Sequence, residues 1–151
     1  MKVTEYRVEV PNRLVKARSV EYGGNGKIIQ AEQAVELMNE AYALGSLAEE
    51  HVYMAALNAN CELLGLFEVS HGGVTGALIS PREIYIRALL AGASGVIMMH
   101  NHPSGSTQPS KEDDKLTKNI GKAGELIGIH LLDHIIVTGD KYYSYGEHGK
   151  A

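Results

Sequence analysis

The chain has 151 residues, 44% of them hydrophobic and 21% charged, with a formal net charge of −4. That length favours one domain with one sizeable core, and the acidic balance argues against a generic nucleic-acid coat, which needs a strongly basic surface. The single Cys61 excludes an intrachain disulfide framework and fits a reducing compartment, where it reads as a small core residue. Met1-Lys2-Val3-Thr4-Glu5 lacks the apolar segment of a signal peptide, and no apolar run reaches membrane-spanning length. A cytoplasmic protein with no membrane partner is therefore expected.

Residues 4–10 and 14–22 alternate loosely and predict two short strands around Pro11-Asn12, with a turn cluster at Gly23-Gly24-Asn25-Gly26. Ala34, Val35, Leu37, Met38, Ala41 and Leu44 keep helical spacing, so a helix over 31–44 stopped by Gly45 is predicted. Residues 50–58 and 61–69 read as a hairpin joined at Asn58-Ala59-Asn60. A loop follows from His71 through Gly76. Ser80-Pro81-Arg82-Glu83 predicts a helix start, with Ser80 as cap, Pro81 at the first helical position and Glu83 completing a capping box. That helix should close at Gly92. Gly95 to His100 is short, apolar and β-like, as befits a buried central strand. A loop over 101–109 is stiffened by Pro103 and Pro109, and a helix runs from Ser110 to Ile127. Residues 129–138 and 141–145 give the last strands. Strands mixed with helices indicate an α/β sandwich around a mixed sheet.

The chemistry gathers at the end of the central strand. His100 and His102 are two apart, so they share a strand face and can address one ion. Asp113 would come from the first turn of the next helix, across a loop whose prolines restrict it. Imidazole and carboxylate together suit Zn²⁺, and other first-row divalent ions also bind such sets. Three protein ligands leave the fourth tetrahedral position open to water, the mark of a catalytic zinc site. A His-x-His pair alone is a weak signal, and Ser110 to Asp113 can also be read as a plain capping box, with Ser110 capping and Asp113 reaching back. The residues Pro103-Ser104-Gly105 stand where a metallo-β-lactamase pattern would need Asp-His.

His100-Asn101-His102-Pro103-Ser104-Gly105, with Pro109-Ser110 and Asp113, resembles the signature of the RadC-like branch of the JAB/MPN (JAMM) metallopeptidase superfamily. The superfamily pattern is an upstream Glu, then His-x-His, seven residues, Ser, two residues and Asp, and these intervals are met here. Glu50-His51-Val52, Ser80-Pro81-Arg82-Glu83 and Asp133-His134-Ile135-Ile136-Val137 are similar to flanking segments of the same branch. The resemblance covers roughly residues 30–147. It implies a single JAB/MPN-like domain with a mixed sheet flanked by helices, of cytidine-deaminase-like architecture, preceded by N-terminal strands over 1–29 and followed by a tail over 148–151. It implies His100, His102 and Asp113 as ligands of one zinc ion per chain. Ser110 is the implied oxyanion partner and Glu50 the implied general acid/base. Glu49 is adjacent to Glu50, but alternation places Glu50 on one strand face with Val52, Met54 and Ala56 and leaves Glu49 before the strand. Glu83 and Glu112 fall on helices, in a capping box and on a solvated face.

The implied activity is hydrolysis of a peptide or isopeptide bond. Zinc would acidify its water, Glu50 would move the proton, and Ser110 at a helix N-terminus would meet the developing negative charge. Asn101, between the ligands, should point the other way and fix a loop by hydrogen bonding, while Ser104 and Gly105 shape the turn. Asp133 and His134 read as structural polar residues of a strand, a hydrogen bond to one of the ligands being the alternative. His71 reads as a loop residue, and His51, His130 and His148 carry no signal. Lys111, Lys115, Lys118 and Lys122 should line one face of the Ser110 helix, where Glu112, Asp113 and Asp114 dilute their field. A role beside DNA is the competing reading, and a binding module with an inert metal site the third. Longer members of the branch resemble a helix-hairpin-helix module fused to this domain. About 30 residues precede the first clear helix here, too few for that module, so nucleic acid is not the favoured partner. Strand edges within 129–145 or in the N-terminal pair would permit dimerisation.

Overall fold

The computed structural model describes residues 1–72 and 79–151. Among these residues there are seven strands: β1 (Lys2–Glu9), β2 (Arg13–Glu21), β3 (His51–Leu57), β4 (Leu63–His71), β5 (Gly95–Asn101), β6 (His130–Thr138) and β7 (Lys141–Ser144). Among the described residues three α-helices join them: α1 (Ala31–Tyr42), α2 (Pro81–Ala91) and α3 (Lys111–Ile127). All strands lie in one sheet, in the order β2-β1-β4-β3-β5-β6-β7. The β1/β4 and β5/β6 pairs are parallel, so the sheet is mixed, in a single α/β domain. The N-terminal hairpin is part of this sheet, since β1 pairs with β4 and Val3 joins the core. Among the described residues no helix is long and apolar enough to cross a membrane.

Period-two alternation divides the core between the two faces of the sheet. Tyr53, Ala55, Leu57, Ile97 and Met99 face α1, where they meet Ala34, Leu37 and Met38. Val52, Met54, Ala56, Val96 and Met98 face the opposite way, against Ile84 and Ala88 of α2 and Leu116 and Ile120 of α3. Every residue of β5 is buried, which is why it reads as an unbroken apolar run. Near its end His100, the penultimate residue, lies on the α2/α3 face, where Asp113 of α3 comes beside it.

Several boundaries depart from the sequence reading. Helix α1 stops at Tyr42 with Ala43 in the left-handed region, ahead of Gly45. Gly45 serves a close approach instead: its carbonyl accepts from Gly139 N (2.7 Å), and a Cβ on Gly45 would collide with the Gly139 backbone. Strand β4 begins two residues late because Asn58 folds the connection, its Oδ1 accepting from the Asn60 and Glu62 amides. Cys61 sits in that turn with φ 60°, half-buried, and is no core residue. Ser80 stands at the N-cap of α2 with Pro81 following, but makes no side-chain cap. The expected capping box is absent there, and Glu83 instead pairs with Arg87 one turn on. The loop expected from His71 through Gly76 lies, from Gly73 onward, outside the described residues.

Candidate metal centre

Three nitrogen and oxygen donors converge where β5 runs out. His100 Nε2 and His102 Nε2 are 3.0 Å apart. Asp113 Oδ1 lies 3.3 Å from His100 Nε2, and Oδ2 lies 3.2 Å from His102 Nε2. His100 and Asp113 are buried, at 2% and 4% exposure, while His102 is half-buried at the mouth. The alternation that brings His100 and His102 to one face is that of the strand itself. His102 is held by its backbone, whose amide donates to Val137 O (3.1 Å), and by its ring, whose Nδ1 meets Ser106 O at 2.8 Å. A carbonyl only accepts, so Nδ1 carries the proton and Nε2 of the neutral ring offers a lone pair toward the site. Gly105 makes the intervening turn at φ 88°.

Asp113 reaches the site as part of the α3 cap. Ser110 Oγ accepts from Asp113 N (3.0 Å), and Asp113 Oδ2 accepts from Ser110 N (2.9 Å). The capping box and the convergence of donor atoms, alternatives on spacing alone, coexist, because one carboxylate takes part in both. Ser110 is exposed at the helix N-terminus, and having accepted from Asp113 N it keeps its own hydroxyl proton to donate.

The charges are mutually tuned. Burial works to raise the Asp113 carboxyl, but hydrogen bonds from the His100 and His102 rings, made when those rings carry a second proton on Nε2, outweigh it and hold the group well below the usual carboxylate range. The hydrogen bond to Asp113 raises His102, against burial, and the charge of Glu50 adds to the rise. Burial drives His134 well below the usual histidine range, with repulsion from His100 next.

Glu50 lies one residue before β3, half-buried. Val52 pairs with His100 in the antiparallel β3/β5 ladder, so stepping two residues outward on each chain leads to Glu50 and His102. Glu49 is differently engaged, its carboxylate pairing with His71 Nε2 at 3.2 Å. Asn101 secures this segment from the opposite side of β5. Its Oδ1 accepts from His51 N (2.7 Å), and its Nδ2 donates to Leu47 O (3.2 Å) and Glu49 O (2.9 Å). The expected loop-fixing role of Asn101 is thus met, and it bears on where Glu50 stands.

His134 corrects the sequence reading. Fully buried, it places Nε2 2.8 Å from His100 Nδ1 and Nδ1 2.6 Å from Thr117 Oγ1. Its neighbour Asp133 keeps the structural part, accepting from Ser144 and the Gly146 amide. Thr117 passed unremarked in the sequence. Its spacing of one helical turn from Asp113 was the available signal.

A second group, His51, Glu68 and His71, also brings metal-binding atoms close together, so His51 and His71 carry more than their sequence context suggests. Their imidazoles stack 4.1 Å apart at 15°, so the in-plane lone pairs run side by side instead of converging. With Glu49, whose carboxylate lies 3.2 Å from His71 Nε2, the three form a polar cluster where β3 begins and β4 ends.

The profile of the RadC-like JAB domain matches residues 28–150. The chain is 36% identical to a UPF0758 protein of Streptococcus gordonii over 140 residues, which is 93% of this chain and 60% of the relative. It is 38% identical to a UPF0758 protein of Chlorobaculum parvum over 124 residues, 82% of this chain and 55% of that one. A UPF0758 protein of Rubrobacter xylanophilus is 41% identical over 106 residues, 70% of this chain and 46% of its own length. The chain thus spans about half the length of the curated relatives it matches.

Proposed function

The chain belongs to the RadC-like JAB domain family, and on that premise we propose that it is a zinc-dependent hydrolase of amide bonds, acting on a peptide or isopeptide substrate. The observation that carries this reading is the convergence of His100 Nε2, His102 Nε2 and an Asp113 carboxylate, each within 3.3 Å of the next, at a half-open strand end. The donor set fits the ion: two imidazole nitrogens and one carboxylate, with the His102 lone pair turned inward by Ser106. Bound there, zinc would supply Lewis acidity toward a carbonyl oxygen and toward water.

The protein groups divide the remaining work. Glu50, close enough for its charge to act on His102, takes a proton from the attacking water as the carbon–oxygen bond forms. It returns that proton to the nitrogen as the carbon–nitrogen bond breaks, leaving an acid and a free amine. Ser110 donates a hydrogen bond from its hydroxyl to the oxyanion, at a helix end whose dipole also favours negative charge. Asn101 holds the segment from which Glu50 projects.

The test is metal content by mass spectrometry, followed by an amide-substrate screen. About one zinc per chain, lost in Asp113→Ala, together with cleavage abolished in Glu50→Ala, is the expected result. A wild type that neither carries nor takes up zinc would refute the proposal.

A further inference from the structure

The buried chain of contacts behind His100 has a direction. Thr117 Oγ1 donates to the Asp113 carbonyl at 2.8 Å, and a hydroxyl has one proton to give. Toward His134 Nδ1, 2.6 Å away, the same oxygen is therefore an acceptor, and His134 carries its proton on Nδ1. The other nitrogen, Nε2, is left with a lone pair, 2.8 Å from His100 Nδ1. His100 must then be protonated on Nδ1, which frees its Nε2 lone pair on the side of His102 and Asp113. The relay begins at the backbone of one donor residue and ends on the ring of another. His134 is locked in place, 0% exposed, its ring stacked at 5° and 5.1 Å on Tyr145.

We propose that His134 is a positioning residue that fixes the tautomer and ring angle of His100, with Thr117 anchoring it to α3. This rests on the zinc reading of the site. Neutral imidazole binds metal through one nitrogen, and the hydrogen bond made by the other decides which; such outer partners commonly govern affinity by on the order of 10–100-fold.

Chelator competition with zinc alone, without substrate, tests the proposal on wild type, His134→Phe, His134→Gln and Thr117→Val. Phenylalanine removes the acceptor, so zinc affinity should fall on the order of 10–100-fold. Glutamine can place its amide oxygen near the former Nε2 position and should restore most of that loss. Thr117→Val should shift affinity in the direction of His134→Phe. Nitrogen-15 NMR of the zinc-loaded wild type should show the proton on Nδ1 in both His100 and His134. That spectrum decides the question even if the phenylalanine variant fails to fold. Zinc binding unchanged in folded His134→Phe, or a proton on His134 Nε2, would overturn the proposal and leave the hydrolase reading standing. The expected affinities and spectrum, with no Glu50-dependent cleavage, would overturn the hydrolase reading alone. A wild type that takes up no zinc would overturn both.

Discussion

Replacing Asp113 by asparagine separates the two duties of that side chain. The amide keeps an oxygen that can accept from Ser110 N, and the bond from Asp113 N to Ser110 Oγ belongs to the backbone, so the cap of α3 should persist. What disappears is the negative charge facing two imidazoles in a buried setting. Hydrogen bonds to charged groups contribute about 1.5–3 kcal/mol, and a negative charge in the first turn of a helix about 0.3–1 kcal/mol. For metal-stripped protein near pH 6 the expected loss is about 2–4 kcal/mol, read by urea denaturation. Its pH dependence has a definite sign. His102 is raised by its bond to Asp113, so the contribution of the protonated ring is fully present below its unfolded value of about 6.5. That contribution is lost as pH rises through the higher folded value. Asp113 is lowered, so its contribution is present above about 3.8 and is lost as pH falls toward the folded value. The gap between wild type and variant should therefore be wider at pH 6 than at pH 9, and should close again in strong acid. A gap that stays constant from pH 6 to pH 9, or widens, would refute the electrostatic account of the site. In the same variant zinc uptake should fall sharply, since an amide is a far poorer ligand.

Glu50→Gln should keep zinc at the wild-type level while turnover drops by about 10²–10⁴-fold, the range for a lost general base, as measured by metal content and steady-state rates on one preparation. Ser110→Ala should cost about 1 kcal/mol in thermal unfolding through the lost cap and on the order of 10²–10³ in kcat through the lost oxyanion donor. Asn101→Ala removes three hydrogen bonds to 47–51. Unfolding should show a loss of about 2–4 kcal/mol, and turnover should fall with zinc content intact, because Glu50 loses its support while the ligands do not. Unchanged turnover in the folded Asn101 variant would dissociate that segment from catalysis.

Much of the fold was legible because the relevant signals are local. The apolar run of β5, the helical spacing of α1 and the hairpin of β3 and β4 all follow from periodicity. The donor triad was legible because strand alternation carries His100 to His102 and a helix start fixes Asp113. Where the reading failed, the decisive contact was distant or was a matter of side-chain rotamer. Gly45 looked like a helix stop, but its partner is Gly139. Ser80 had a capping sequence, and yet its hydroxyl makes no bond to the helix while Glu83 prefers Arg87. His134 meets His100 across a parallel strand pair and 34 residues of sequence, a separation that no local pattern encodes.

Asp113 closes the first turn of α3 with the same oxygen that faces His102. Fraying that turn would carry the carboxylate away from both imidazoles, and drawing the carboxylate aside would expose the Ser110 amide it satisfies. Helix initiation and assembly of the donor set are thus one cooperative event. The local opening energy of the α3 terminus sets a floor under the rigidity of the centre. An ion gripping Asp113 would in turn act as a clasp on the helix, so that the element best placed to report whether the site is filled is the backbone of its own first turn.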